Sequence, residues 1–156
     1  MGTVIHTVAT TPDRVFAILA DGWTYSGWVV GCSHIRNVDL DWPAPGTRIH
    51  HSVGVWPATI EDTTAVVEID PGKRLVLEAR VWPVGKARVS FTLEDLGGET
   101  RVTMEEETTG GPGKALQNPL TDPLLDKRNS ESLARLFAMA IHRGPAIYPE
   151  RDGGQG

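Results

Sequence analysis

The run Val89-Ser90-Phe91-Thr92-Leu93-Glu94-Asp95-Leu96-Gly97-Gly98-Glu99-Thr100-Arg101-Val102-Thr103-Met104-Glu105-Glu106 decides how this chain folds. Apolar and polar residues alternate on both sides of a Gly-Gly pair. That period of two marks strands with one buried face, and Gly-Gly suits a two-residue hairpin turn. A turn at Gly97-Gly98 sets Leu93 opposite Val102, Phe91 opposite Met104 and Val89 opposite Glu106.

The pattern extends outward. Between Thr47 and Thr108, β-branched and apolar runs are broken by three more turn signals: Val55-Trp56-Pro57, Asp70-Pro71-Gly72-Lys73 and Pro83-Val84-Gly85. Pro followed by Gly supplies the two dihedral settings of a type II turn. The region predicts an antiparallel meander of five long strands. A turn at Pro71-Gly72 places Val66 opposite Leu77, Thr64 opposite Ala79 and Asp62 opposite Val81. A turn at Val55-Trp56 places His51 opposite Ile60 and Ile49 opposite Asp62. The Pro83 loop must be odd-numbered or bulged to keep Val81 and Ala87 on one side.

One face of the sheet then carries Ile49, Val66, Leu77, Val89, Phe91, Leu93, Val102 and Met104; the other carries Arg48, Glu61, Glu78, Arg88, Glu94 and Arg101. An antiparallel sheet with one dry and one wet face needs a cover on the dry side. Past Gly110-Gly111-Pro112-Gly113, a helix starting at Asp122-Pro123 and ending near Gly144-Pro145 supplies one. Its apolar stripe is Leu125, Asn129, Ser132, Leu133, Leu136, Phe137 and Ala140, spaced by three and four. At the other end, Thr3–Val8 reads as a strand. Thr11-Pro12-Asp13 starts a helix, Trp23–Trp28 forms a second short helix or turn, and Cys32–Val38 forms another strand.

The dry face carries polar intruders: His51, Asp62, Thr64 and Glu106, joined by Asn129 from the helix. A buried carboxylate without a partner is expensive. These groups must pair, reach water or line a cavity, and their convergence between sheet and helix is the pattern of a ligand pocket.

Composition narrows the classes. The chain has 156 residues, Lys+Arg 15 against Asp+Glu 20, and a net charge of -5. That length suits one domain, over residues 1–145, with 146–156 expected to be a disordered tail. A net acidic chain without a basic cluster is a poor partner for nucleic acid. No apolar run approaches the roughly 20 residues of a membrane helix, and no secretory segment is expected, so the expectation is a cytoplasmic protein. Cys32 stands alone, which excludes an intramolecular disulfide and a Cys-rich zinc site. His50 and His51 are strand neighbours and point to opposite faces, so they cannot chelate one ion. No metal and no cofactor are expected. No nucleophile elbow or phosphate loop is present either.

Five tryptophans against three Phe and two Tyr is an unusual balance. Trp42, Trp56 and Trp82 each adjoin a proline at a strand end, and Trp28 closes the short second helix. Trp42 is expected to cap the sheet. At least one of Trp28, Trp56 and Trp82 is expected at a pocket mouth.

The segments Thr11–Phe16, Asp21–Gly31, Trp42–Thr47, His50–Gly54, Asp70–Leu75, Gly98–Thr103 and the helix around Asp126–Asn129 together resemble the polyketide cyclase/dehydrase and lipid-transport family of the START-like, or SRPBCC, superfamily. The resemblance covers about residues 1 to 143. It implies an α+β helix-grip fold: a curved antiparallel sheet wrapped around a long C-terminal helix, with two short helices after the first strand. Members bind lipids, sterols, quinones or polyketides, and some cyclise or dehydrate their ligand. No shared catalytic motif carries over, so the resemblance assigns no active-site residue.

The expected function is binding of a small hydrophobic molecule between sheet and helix. Trp28, Trp56, Thr64, Trp82, Phe91, Met104, Glu106, Asn129 and Leu133 are the candidate lining residues. The alternative is a cyclase or dehydratase in which His51, assisted by Asp62, moves a proton next to a carbonyl. A third reading is an interaction module whose interior is filled by side chains. A cavity of about 300 Å³ or more favours the first two. The assembly is expected to be a monomer or a homodimer.

Overall fold

The computed structural model describes residues 2–30, 32–53, 60–81, 85–110 and 122–142. The elements run β1 (Gly2–Val8), α1 (Pro12–Leu19), a 3-10 turn (Gly22–Thr24), α2 (Tyr25–Trp28), β2 (Cys32–Val38), β3 (Arg48–Val53), β4 (Ile60–Asp70), β5 (Arg74–Val81), β6 (Gly85–Asp95), β7 (Thr100–Gly110) and α3 (Asp122–His142). The strands form one antiparallel sheet in the order β1-β7-β6-β5-β4-β3-β2. This is the helix-grip architecture. Tail residues 146–156 lie outside the described residues.

Local chemistry accounts for the turns. Gly97 and Gly98 have φ of 84° and 87°, and Leu96 N–H donates to Glu99 C=O at 2.8 Å. Two successive positive φ values make a hairpin turn whose twist matches the strands. Val89, Phe91 and Leu93 pair with Glu106, Met104 and Val102, as the alternation predicts. Gly72 has φ 78° and Lys73 N–H donates to Asp70 C=O at 3.0 Å, as a type II turn requires. Thr11 occupies the N-cap of α1, but its hydroxyl makes no capping bond there. Its carbonyl accepts from Arg14 N–H at 3.2 Å instead.

Two registers differ in detail from the alternation argument. Val66 does face Leu77, and Thr64 faces Ala79. However, Asp70 pairs with Arg74, so the turn uses three residues, and a bulge between Val66 and Glu68 restores the parity. The described β4–β5 ladder ends at Thr64–Ala79, so Asp62 is not placed opposite Val81. Across β3 and β4, His51 faces Asp62 and Ile49 faces Thr64, two residues along from the expected pairs. A two-residue slip keeps every side chain on its face, which is why the dry face was read correctly.

The dry face is concave and is covered by α3 and α1. Leu133 and Leu136 are fully buried against Leu75, Phe91 and Val102 in one cluster with Val15 and Leu19. Bulges in the β2–β3, β4–β5 and β6–β7 ladders bend the sheet around this cover. α3 is also tied at its side: Ser132 Oγ accepts from Val30 N–H at 3.1 Å.

Gly98→Ala tests the tight turn. An added Cβ at Gly98 meets nothing within 4 Å, so the whole cost is backbone strain at φ +87°. It should be about 1–2 kcal/mol, read as a lower midpoint in thermal unfolding. Gly98→Asn, which tolerates this conformation better, should lose visibly less. Equal losses for the two variants contradict the assignment.

Candidate functional site

Between the sheet, α2 and α3 lies a cavity of about 270 Å³. It falls slightly below the expected 300 Å³, but the interior is not filled by side chains. Its wall is mostly apolar: Trp28, Val29 and Val30 from α2 and its exit, Ile49 from β3, Leu77 and Ala79 from β5, Val89 and Phe91 from β6, and Met104 from β7.

An aromatic chain runs to one side of the cavity, with Tyr25, Trp28 and Phe91 at the wall and Trp42 behind them. Trp42 meets the Tyr25 ring edge-on at 5.8 Å, Tyr25 meets Trp28 at 4.7 Å, and Trp28 meets Phe91 at 5.7 Å. Each tilted pair is worth about 0.5–1.5 kcal/mol beyond its burial. The polar tips are mostly satisfied: Tyr25 donates to Leu19 C=O at 2.7 Å and Trp28 Nε1 donates to Thr24 Oγ1 at 3.2 Å. Burial, and secondarily Asp21, pushes the Tyr25 hydroxyl far above its ordinary value. Trp28 is 1% exposed and therefore lines the interior rather than the mouth.

The polar lining falls into two groups. At the β3–β4 side, His51 is buried and its Nε2 lies 2.9 Å from Thr64 Oγ1. His51 Nδ1 is buried with no hydrogen-bond partner among the described residues. Burial lowers the His51 pKa, against an opposing pull from the Asp62 charge, so the ring is held neutral. Asp62 faces it directly across the strands and is buried. The Asp62 carboxylate accepts from Thr63 N–H at 2.9 Å and stands 3.8 Å from Arg80 Nε. Asp62 itself is not part of the cavity wall.

At the β7–α3 side, Asn129, 1% exposed on α3, donates from Nδ2 to Glu106 Oε2 at 2.9 Å. Arg128 forms a salt bridge to the same oxygen. Arg128 Nε and Nη2 also reach Asn129 Oδ1, at 3.4 and 3.3 Å. The three side chains make one cluster at the wall.

Of the residues named from sequence, His51, Thr64, Trp28, Phe91, Met104, Glu106 and Asn129 meet at this cavity. Leu133 sits in the core and does not reach the wall. Trp56 and Trp82 lie outside the described residues. The sequence reading passed over Tyr25, Cys32, Arg80, Arg128 and Ser132 as lining residues. Ser132 was on the helix stripe and could have been found there. Arg80 alternates to the wet face and Arg128 lies beside the stripe, so periodicity excluded both. Their long side chains curl back to the wall, which a pattern of Cβ directions does not reveal. Cys32 is half-buried, and burial pushes its thiol up to about 11.

His50 turns the other way, as strand alternation requires. Its Nε2 pairs with Asp39 Oδ1 at 3.1 Å. That hydrogen bond, and a second from Arg48 N–H, holds the Asp39 carboxyl below the usual range. Among the described residues no group of three His, Cys, Asp or Glu side chains is placed to hold a metal, and no helix is long and apolar enough to cross a membrane.

Solved structures share this fold at low identity. A protein of Nitrosomonas europaea superposes with TM-score 0.69 at 16% identity, covering 90% of this chain and 94% of that one. The ZhuI aromatase/cyclase of Streptomyces sp. R1128 gives 0.67 at 16%, covering 92% and 94%. The di-domain aromatase/cyclase StfQ of the steffimycin biosynthetic pathway gives 0.70 at 11%, covering 90% of this chain and 50% of that one. No curated protein matches in sequence. A family model described as polyketide cyclase / dehydrase and lipid transport matches residues 3–139, and with that match spanning nearly the whole length this chain belongs to that family.

Proposed function

We propose that this protein binds a small hydrophobic molecule, lipid-, polyketide- or quinone-like, in the cavity under α3. The observation that carries this reading is the cavity itself: about 270 Å³, walled by aromatic and aliphatic side chains, with polar groups at two places. An apolar ligand that fills it gains about 25 cal/mol per Å² of the surface it buries. The reading treats residues 1–145 as one domain in the cytoplasm, acting as monomer or homodimer.

One observation favours a second reading, a cyclase or dehydratase. His51 is a neutral imidazole at the wall with an unpartnered nitrogen, its ring fixed through Thr64. A neutral imidazole can take a proton from carbon beside a carbonyl and return it to a departing hydroxyl, which leaves as water. The Asp62 charge favours the imidazolium formed in between. In this reading His51 carries the proton and Asp62 is a positioning residue.

Ala79→Phe tests the cavity. It places a ring in the void, where Ala79 is part of the wall. A hydrophobic ligand at 100 times its dissociation constant should stabilise the natural protein by about 2.7 kcal/mol, seen as a raised unfolding midpoint. The filled variant should fold and show no such rise. An equal rise in both proteins removes the cavity from consideration as the binding site.

His51→Gln separates the two readings. A binder keeps its ligand affinity within a few-fold. A cyclase or dehydratase loses turnover by about 10²–10⁴-fold while still binding. Turnover that survives the substitution excludes His51 as the proton carrier.

The same variant tests the neutral state of the ring. Because the folded pKa lies below the ordinary 6.5, the unfolded chain takes up a proton there that the folded chain refuses. Stability from the neutral ring is present above 6.5 and is lost as pH falls through the folded value. Unfolding midpoints should therefore fall more steeply below pH 6.5 in the natural protein than in His51→Gln. Parallel curves contradict the neutral ring.

A further inference from the structure

Resting on the ligand-binding reading, we infer that Glu106 and Arg128 set a charge preference at the cavity, which takes an uncharged, hydroxyl-bearing ligand and rejects carboxylates and amines. The inference rests on how the charges at the wall are already matched.

Glu106 Oε2 accepts from both Arg128 and Asn129, while Glu106 Oε1 makes no hydrogen bond among the described residues. The pair is charge-balanced but keeps one open acceptor at the cavity wall. Arg80, the other cation at the wall, stands 3.8 Å from Asp62. Tyr25 and Cys32 keep their protons, and His51 stays neutral. Each formal charge at the wall thus has a counter-charge beside it.

A carboxylate entering this space meets Glu106 and competes with it for Arg128. An ammonium competes with Arg128 for Glu106. Either ion gives up water without gaining a free counter-ion, so its desolvation goes uncompensated. A hydroxyl loses little and donates to the open oxygen of Glu106, a charge-assisted bond. His51, on β3 and four strands away from β7, adds no charge to the wall: its Nε2 is held by Thr64 and its Nδ1 is buried.

The experiment measures affinity at pH 7 for four probes on one ring system: 2,6-dihydroxynaphthalene, 2-naphthol, 2-naphthoate and 2-naphthylmethylammonium. Binding is read by calorimetry and by the shift in unfolding midpoint. Diol and naphthol should both bind, with both ions at least about tenfold weaker than naphthol. Glu106→Gln frees Arg128 and should raise naphthoate affinity about tenfold while lowering that of the diol. Arg128→Met frees the Glu106 charge and should favour the ammonium instead. This reciprocal change is a readout that mere loss of structure does not produce. Naphthoate binding as tightly as naphthol to the natural protein overturns the inference and leaves the ligand-binding reading standing. So does a preference that neither variant moves. Failure of every probe to bind overturns the ligand-binding reading and the inference with it.

Discussion

The contact between α3 and the concave face of the sheet is the constraint on which the rest depends. Five central strands carry an apolar face that must leave water, and one long helix is the main cover available to it. The helix changes character along its length. Leu133, Leu136 and Ala140 are almost fully buried and close the core at the C-terminal half. Arg128, Asn129 and Ser132, toward the N-terminal half, stand at the cavity wall. Where the stripe is aliphatic the packing closes, and where it turns polar the packing opens. Close packing of polar tips against Leu77, Val89 and Phe91 would strand their hydrogen-bonding groups. The cavity is the alternative that lets them pair with one another.

The short helices keep the opening from collapsing. Trp28 is a large, fully buried ring held between Tyr25 and Phe91. It spaces α2 from the sheet, and its indole nitrogen is fixed by Thr24. The chain of rings from Trp42 to Phe91 therefore links the loop after β2 to the middle of the sheet. Rigid aromatic walls suit a preformed pocket, because little side-chain entropy remains to be lost when a ligand arrives.

The polar groups at the wall and behind it obey the rule that buried charges are paired. Glu106 has Arg128 and Asn129, and Asp62 has Arg80 and the Thr63 amide. His51 meets the rule by shedding its charge, leaving one ring nitrogen open. An unpartnered buried nitrogen costs stability in the unliganded protein.

The sequence by itself determined the fold and which residues share the dry face of the sheet. Alternation with a period of two assigns faces whatever the exact register, so Phe91, Met104 and Thr64 were placed correctly even though β3 sits two residues along from its expected partner positions. The helix stripe identified Asn129 in the same way. Only the tertiary structure decided what the polar groups do. The three-residue turn after Asp70 and its compensating bulge are set by the balance of turn geometry against burial, which local pattern does not encode. His51 was expected to lean on Asp62 from a diagonal position; it lies directly opposite, with its ring bonded to Thr64 and Asp62 acting on it through charge. Arg80 and Arg128 reach the wall through long flexible side chains from positions that face elsewhere. Strand and helix periods fix the direction of Cβ, while the place of a charged tip is fixed by the counter-charge it finds in three dimensions.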